Sequence, residues 1–270
     1  MIIGLCGKKQ SGKNTVSNIF HGIYLKSHSM VKDFNISGDG KLYVCGESFS
    51  WGEFDVTRTD EEFLIWAEQN MHPYIKNYSF ADPLKIICHT LFGLTKEQCW
   101  GNDNQKNTIV QHLLWENMPD VIIDKDFYGA CINNHYGSGV KNLISKLNYH
   151  QSGPMTAREF LQYFATEIMR AIYEPIWVNA TINKIKQEKS SISIITDVRF
   201  LNEIESIRNS GGVLIKLTRD INKDSHSSEN SLNGYDKYDY IIDNNKENFT
   251  VEDLIEESKK IYQKIRGSSF

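Results

Sequence analysis

The sequence predicts an α/β fold in which a sheet of five parallel strands carries helices on both faces. Short apolar segments rich in isoleucine and valine alternate along the chain with segments whose apolar residues recur at helical spacing. The first apolar segment is followed at once by a glycine-rich turn and a helix, which is a setting typical of a parallel sheet. Inserted segments interrupt this alternation. The expected strands are residues 2–6, 78–81, 192–197, 213–217 and 240–243.

Residues 2–15 have the pattern of a strand, a loop and a helix. Four residues separate Gly7 from Gly12-Lys13, and a hydroxyl residue, Thr15, stands two positions later. This spacing is close to the phosphate-loop pattern, in which backbone N–H groups surround a phosphate and a lysine reaches its outer oxygens. The helix that begins near Lys13 would add its positive N-terminal end. A glycine-rich turn without a ligand is the alternative, but the flanking strand and amphipathic helix favour the phosphate loop.

Asn14 departs from the common phosphate-loop pattern, which has a magnesium-binding serine or threonine at this position. Small nucleotide kinases often have Gly-Lys-x-Thr instead, and Gly12, Lys13 and Thr15 match that form. The shift therefore favours a kinase over a GTPase or a motor protein. It also indicates that a magnesium ion would be held largely through water.

Two stretches lack regular periodicity, and we interpret them as insertions into a single domain of residues 1–270. The first insertion, residues 27–77, contains two segments that suit a β-hairpin, 41–44 and 49–56, and a helix over 60–70. The second insertion, residues 101–153, contains a strand or two between Trp115 and Tyr128 and a helical turn over 141–147. Loops of this length are usually functional covers or extra subdomains. We expect the second insertion to close over the site.

Local end signals define the helices in the rest of the chain. Asp82-Pro83 suits the start of a helix that ends at Gly93, with aspartate as the cap and proline in the first turn. Thr156 with Glu159 three residues later forms a capping box at the start of another helix. Further helices are expected over residues 175–188, 201–210 and 251–265.

The strand over residues 192–197 ends in Asp197-Val198-Arg199, at the sheet edge where the phosphate loop is also expected. An aspartate there can orient the water shell of a magnesium ion, and an arginine has the planar fork that suits a phosphate. Glu203 lies one helical turn later and would either orient Arg199 or accept from a sugar hydroxyl. A helix cap and a surface ion pair are the alternative roles for Asp197 and Arg199. His226 lies in a polar loop, either solvated or in contact with a nucleotide.

Arg158, Gln162 and Thr166 are spaced four residues apart, so in a regular helix they project in the same direction. This row suits a phosphate at one end and a base edge at the other, and a solvated polar face is an equal alternative. Trp177 and Phe80 could hold a base between them. Aromatic residues at helical spacing, however, are more often part of the core.

Composition limits the class of protein. The net charge of −4 and the pI near 6.1 disfavour a general nucleic-acid binder. Five cysteines without a C-x-x-C pair indicate a reducing compartment. No apolar run approaches the roughly 20 residues of a membrane span. We therefore expect a cytoplasmic protein, in the host cell if it is viral, with no membrane and no direct nucleic-acid partner.

The order of these motifs resembles the deoxynucleoside monophosphate kinases of tailed bacteriophages, over about residues 1–266. Two positions depart from the family pattern: Asn14 stands where phage relatives often carry aspartate, and Ala165 where glycine is usual. The motifs that carry the resemblance are Gly7-x-x-x-Ser11-Gly12-Lys13-x-Thr15, Phe80-Ala81-Asp82-Pro83-Leu84-Lys85, Arg158-Glu159-x-x-Gln162-x-x-x-Thr166-Glu167, Trp177-Val178, Asp197-Val198-Arg199-x-x-x-Glu203, Gly211-Gly212 and His226-x-x-Glu229.

The resemblance implies the fold of P-loop NTPases and nucleoside monophosphate kinases, with strand order 2-3-1-4-5. It implies transfer of the γ-phosphoryl group of ATP to a deoxynucleoside monophosphate, with Mg²⁺ held by Thr15 and, through water, by Asp197. The residues that would bind ATP are Gly7, Ser11, Gly12, Lys13, Asn14 and Thr15. Those that would bind the deoxynucleotide are Arg158, Gln162, Thr166, Trp177, Arg199 and Glu203, and those that would act in catalysis are Lys13, Arg158, Asp197 and Arg199.

Two other functions stay open on the sequence alone. One is another small P-loop kinase, for instance one similar to dephospho-coenzyme A kinase. The other is a protein that binds nucleotides without turnover. The choice of base and the presence of a homodimer also stay open.

Overall fold

The computed structural model describes residues 1–58, 61–70, 74–119, 121–122, 148–149, 152–220 and 232–267. Its contacts divide the chain into two compact units. The first unit comprises Met1–Asp82 with Trp177–Phe270, and the second comprises Pro83–Ile176. These boundaries do not coincide with the expected insertions at 27–77 and 101–153, and the single-domain organisation stays a prediction.

Strands and helices follow one another in the order that the sequence patterns predict, with additional short strands in the insertions and directly after the second one. The strands are β1 (Ile2–Cys6), β2 (Asp33–Ile36), β3 (Leu42–Cys45), β4 (Trp51–Glu53), β5 (Ile75–Tyr78), β6 (Ile109–Leu114), β7 (Val121–Ile122), β8 (Asn148–Tyr149), β9 (Pro154–Thr156), β10 (Ile192–Val198), β11 (Val213–Leu217) and β12 (Tyr240–Ile242). The helices are α1 (Lys13–Ser27), α2 (Glu61–Asn70), α3 (Asp82–Phe92), α4 (Lys96–Trp100), α5 (Asp103–Lys106), α6 (Ala157–Tyr163), α7 (Ile176–Glu188), α8 (Leu201–Asn209) and α9 (Val251–Gly267). A 3₁₀ turn (Trp115–Asn117) and a π-helix (Phe164–Arg170) complete the described elements.

The first unit is built on a five-stranded sheet in which every pairing is parallel. Counted over all strands of the chain, its order is β12-β11-β1-β10-β5, which differs from 2-3-1-4-5 because the inserted strands carry numbers of their own. Counted within this sheet alone and from the β5 edge, the strands are the second, third, first, fourth and fifth in the chain.

The central strand β1 is buried along its whole length and packs on both faces. Ile3 and Leu5 belong to one core cluster, which includes residues of α1 and α9. Ile2 and Cys6 point to the other face and join a second cluster with residues of α7 and α8. Successive residues of a strand face opposite sides, so this division follows directly from the period of two. Helices therefore cover both faces of the sheet, as predicted.

The second strand of this sheet lies three residues earlier than the sequence pattern predicted. It is β5, Ile75–Tyr78, and the prediction of residues 78–81 was wrong by that shift. Ile195 of β10 pairs with Tyr78, and beyond this pair Asp82 N–H donates to the carbonyl of Ser79 at 3.1 Å, which closes a turn. The backbone from Ser79 onward is thus used for a turn and not for the sheet.

The predicted hairpin in the first insertion is confirmed as β3 and β4, and β2, which the sequence pattern missed, pairs antiparallel with β3. Asn18 of α1 donates from Nδ2 to the carbonyl of Gly40 at 2.8 Å, so the turn between β2 and β3 is fastened to α1. The predicted helix over 60–70 is confirmed as α2.

The second unit has an aromatic core and a short antiparallel pair, β6 with β9. Phe160 and Phe164 stack with ring centroids 5.6 Å apart, and Phe92 packs against both. The predicted capping box at the start of α6 is confirmed. Thr156 Oγ1 accepts from Glu159 N–H at 3.2 Å, and Glu159 Oε2 accepts from Thr156 N–H at 2.8 Å.

Several sequence expectations fall outside the described residues. These are the helical turn over 141–147, part of the strand expected between Trp115 and Tyr128, and His226 with Glu229. Among the helices that the structure describes, none combines the length and the apolar composition that crossing a membrane requires. The described cysteines, Cys6, Cys45, Cys88 and Cys99, are free thiols and buried.

Candidate functional site

The loop between β1 and α1, residues 7–12 and here called the glycine loop, requires glycine at both ends. Gly7 has a φ of 149° and Gly12 a φ of 98°, a region that residues with a side chain rarely adopt. A Cβ atom on Gly7 would also lie 2.6 Å from Ser11 Oγ and 3.0 Å from the Leu217 carbonyl oxygen. The loop therefore curls tightly against the end of β11.

Lys13 lies at the first position of α1 and its ammonium group turns back over the glycine loop. Its Nζ donates to the carbonyl oxygens of Gly7 at 2.6 Å and Lys8 at 2.7 Å. Gly12, which precedes α1, has no side chain to cap the helix, and the first turn of α1 contains no acidic residue. Helix N–H groups, a positive helix end and a lysine are thus brought together at one place, an arrangement that suits a phosphate.

Asn244, which the sequence analysis missed, anchors the glycine loop to the segment that follows β12. It is 7% exposed and follows β12 by two residues. Its Nδ2 donates to the carbonyl of Ser11 at 2.8 Å, and its Oδ1 accepts from Arg219 N–H at 2.8 Å. Because this buried amide is hydrogen-bonded at both its nitrogen and its oxygen, it links three segments: the glycine loop, the segment after β11 and the segment after β12. An asparagine directly after the last apolar strand was the signal available in the sequence.

The remaining residues of the predicted ATP set differ in exposure. Asn14 is exposed, whereas Ser11 is fully buried and its Oγ makes no hydrogen bond within the described part of the chain. Thr15 is half-buried and packs closely on Gly40, in the turn between β2 and β3. The contact is so tight that a Cβ atom added to Gly40 would lie only 2.5 Å from Thr15 Oγ1.

Asp197 lies near the end of β10 and accepts hydrogen bonds on both carboxylate oxygens. Oδ1 accepts from Phe80 N–H at 2.9 Å. Oδ2 accepts from Ser79 Oγ at 2.6 Å and from Ala81 N–H at 3.2 Å. This carboxylate therefore fixes the turn after β5, and Oδ1 keeps more of its capacity to accept a further bond.

Arg199 and Glu203 are coupled through the backbone. Glu203 is 2% exposed, and its Oε2 accepts from Arg199 N–H at 2.7 Å and from Phe200 N–H at 3.0 Å. The carboxylate thus caps α8 and sets the direction in which the chain leaves β10. The two roles expected for Glu203, orienting Arg199 and accepting from a sugar hydroxyl, both stay predictions, because these bonds are to the backbone.

A small, open cleft lies in the first unit beside the glycine loop. Three of its lining residues are cationic: Lys8, Arg199 and Lys216. Lys8 also forms an ion pair with Asp220 at 2.5 Å. The remaining lining residues are Gly7, Val198, Leu232 and Asn233, so no carboxylate is among those described.

Trp177 and Phe80 are both buried, with 4% and 3% exposure. Phe80 belongs to a core cluster of the first unit. The structure therefore places both rings in the interior, which agrees with the core alternative weighed for them.

Arg158, in the second unit, is held by side chains. Its Nη2 lies 2.6 Å from Asp103 Oδ1 and its Nε donates to Asn107 Oδ1 at 3.0 Å. Gln162 and Thr166 are exposed. Thr166 lies in the π-helix, not in a continuous α-helix as expected. Since a π-helix has more residues per turn, a spacing of four residues no longer stacks Thr166 directly beyond Gln162.

The chain is similar to known proteins of one family. A family model described as deoxynucleotide monophosphate kinase matches residues 1–257. A protein of Acanthamoeba polyphaga mimivirus, provisionally described as a deoxynucleotide monophosphate kinase, is 30% identical over 190 residues. That match covers 65% of this chain and 77% of the viral protein.

Proposed function

The chain belongs to the deoxynucleotide monophosphate kinase family, and from that premise we propose which of its residues bind each substrate and carry the transfer. The reaction moves a phosphoryl group onto a deoxynucleoside monophosphate, which makes the protein a phosphotransferase. The observation that supports the assignment of residues best is the glycine loop, over which Lys13 is held by two carbonyl oxygens.

The proposed donor is ATP, and its phosphates bind the glycine loop. The N–H groups at the uncapped start of α1 donate to phosphate oxygens, and the Lys13 ammonium group neutralises the outer phosphates. The tight turns at Gly7 and Gly12 allow the backbone to approach an anion closely. Ser11, Asn14 and Thr15 complete this proposed ATP set.

The oxygen atoms of Asp197 and Thr15 suit a magnesium ion that is bound largely through water molecules. Asp197 already accepts three hydrogen bonds from protein groups, so direct ligation would have to replace one of them, whereas a water molecule can donate to Oδ1. Thr15 is the proposed hydroxyl ligand, although its side chain also packs on Gly40. A bound Mg²⁺ would supply charge neutralisation for the donor phosphates.

In the second unit, Arg158 binds the phosphate of the deoxynucleotide, and Gln162 and Thr166 bind its base or sugar. In the first unit, Arg199 binds a phosphate. Glu203 and Trp177 are too buried for broad contact with a ligand, and we propose that they position Arg199 and α7 respectively.

The chemistry needs positioning and charge more than proton transfer. An acceptor phosphate is already anionic, so no general base is required. The transferring group carries negative charge on its outer oxygens, and preorganised cations stabilise that charge more in the transition state than before it. Lys13, Arg158 and Arg199 are the proposed cations for this role. The product would serve viral DNA precursor synthesis, a setting that the mimivirus relative supports.

The test is ADP release from ATP with Mg²⁺, measured against dAMP, dGMP, dCMP, dTMP and their ribose counterparts. We expect turnover with a subset of the deoxynucleotides, and that subset identifies the base choice. Binding of ATP without turnover of any monophosphate would contradict the proposal. It would favour a coenzyme-precursor kinase or a protein that binds nucleotides without turnover.

A further inference from the structure

We propose that Lys216 is a further phosphate-binding residue of this kinase, and that its ammonium group binds the polyphosphate of the nucleoside triphosphate donor. The proposal rests on the assignment of the donor to the glycine loop. It adds a residue of β11 to a donor set that the sequence placed only in the glycine loop and the first turn of α1.

The position of Lys216 in the sheet is unusual for a lysine. β11 has the sequence Val-Leu-Ile-Lys-Leu and lies between β1 and β12, where Lys216 pairs in register with Cys6 and Ile241. Lys216 itself is half-buried, and of the two residues paired with it Cys6 is buried and Ile241 is 57% exposed. A lysine on an interior strand costs desolvation energy unless its charge is paired or used.

Lys216 is one of the residues that line the cleft beside the glycine loop. The cleft is lined by Gly7 and Lys8 of that loop, by Arg199 and by Lys216 itself. Within the described part of the chain, no carboxylate lies within 4 Å of Lys216 Nζ. Lys216 Nζ lies 5.3 Å from the ring centroid of Tyr238. A polyanion is the ligand that such a cleft suits.

Lys216 and Lys13 act on the same place in the structure. Burial raises the pKa of the Cys6 thiol to about 12, and the charges of Lys216 and Lys13 work against that rise. Both ammonium groups therefore lie close enough to one thiol, at the end of β1, to influence it. A triphosphate carries several negative charges, so Lys216 and Lys13 together can neutralise more of that charge than either does alone.

Lys76 provides a matched control within the same sheet. It also lies on a strand, β5, and its ammonium group stands 5.6 Å from the ring centroid of Tyr78. Unlike Lys216, it forms an ion pair with Glu188 at 2.6 Å and does not line the cleft. Both lysines lie on strands and near an aromatic ring. They differ in their surroundings, because Lys76 pairs with a carboxylate whereas Lys216 lines the cleft.

The experiment measures binding of inorganic tripolyphosphate by calorimetry, and the KM for ATP and for the accepted deoxynucleotide, in Lys216→Met, Lys216→Arg and Lys76→Met. Loss of one charged hydrogen bond should weaken tripolyphosphate binding by Lys216→Met about 10- to 100-fold. The KM for ATP should rise with it, and the KM for the deoxynucleotide should stay constant. Lys216→Arg should recover most of the affinity for tripolyphosphate, and Lys76→Met should bind tripolyphosphate as tightly as the wild-type protein does.

A purely structural role for Lys216 would give a different result. Thermal unfolding midpoints show whether each variant is folded, and Tyr238→Leu removes the ring without removing the cation. Unchanged tripolyphosphate affinity in Lys216→Met overturns the inference, and so does an equal loss in Tyr238→Leu or Lys76→Met, or an effect confined to the deoxynucleotide. If the unchanged protein binds tripolyphosphate through Lys216 but phosphorylates no monophosphate, the proposed function fails and this inference stands.

Discussion

The glycine-loop edge of the first unit and the arginine-bearing helix of the second unit hold their polar side chains in different ways. In the first unit, Asp197 and Asn244 make hydrogen bonds to the backbone of other segments, and Glu203 makes them to the backbone at the start of its own helix. In the second unit, Arg158 is held by two side chains, those of Asp103 and Asn107.

This difference predicts two kinds of mutational effect. Backbone partners have nearly fixed positions, so a group that they hold is already placed before a substrate binds, and its loss should lower the rate of transfer. A side-chain ion pair at the surface contributes about 1 kcal/mol or less and can be exchanged for a ligand. Residues held in that way should affect mainly the affinity for the substrate.

Lys13→Met is expected to have the largest effect. The variant loses the cation that lies over the glycine loop, and kcat should fall about 10²- to 10³-fold with little change in the unfolding midpoint. Lys26→Met is the control, because Lys26 lies at the far end of the same helix in an exposed ion pair with Asp33. A loss of activity in both variants would show that the effect is not specific to the loop.

Arg158→Met should change the affinity for the acceptor. Removing a charged phosphate ligand should raise the KM for the deoxynucleotide about 10- to 100-fold, with a smaller change in the KM for ATP. Steady-state kinetics with each substrate varied in turn distinguish the two values. A fall in kcat at unchanged KM would contradict the prediction that residues held by side chains affect mainly the affinity for the substrate.

Asn244→Leu tests whether the glycine loop depends on its buried anchor. Because the variant leaves the Ser11 carbonyl and the Arg219 N–H without their partner, kcat/KM for ATP should fall about tenfold. Asn245→Leu is the matched control at the next position, since Asn245 Oδ1 makes only an exposed contact of 3.4 Å with Asp220 N–H. Equal kinetics in the two variants would show that the anchor is not needed.

His21 should affect stability and leave catalysis unchanged. Burial lowers the pKa of this histidine on α1 to about 4, from an ordinary value of 6.5. The unfolded chain therefore binds a proton that the folded chain excludes, and stability is lost as the pH falls from 6.5 towards 4.

At pH 5 the loss from His21 should reach about 2 kcal/mol. His21→Gln should have a smaller fall in stability than the unchanged protein between pH 7.5 and pH 5 in urea unfolding. Parallel curves for the two proteins would contradict this assignment.

Local patterns in the sequence predicted much of the fold. The glycine spacing, the apolar alternation and the capping box at Thr156 depend on neighbours within a few residues, so periodicity and end signals suffice to read them. The same reasoning predicted β1, β10, β11 and β12 closely, because each is an apolar segment bounded by turn residues. The fold class and the glycine loop were therefore accessible without coordinates.

Contacts between distant segments decided the rest. The position of β5 depends on pairing with β10, more than a hundred residues later, and on the hydrogen bonds that Asp197 draws from the turn after β5. The role of Asn244 at the glycine loop and the place of Lys216 in the cleft likewise depend on which strands are neighbours. No local pattern encodes such pairings, because they follow from the burial of both faces of the sheet. The sequence by itself thus determined most of the elements and the glycine spacing of the loop, whereas the tertiary structure alone decided which side chains meet there.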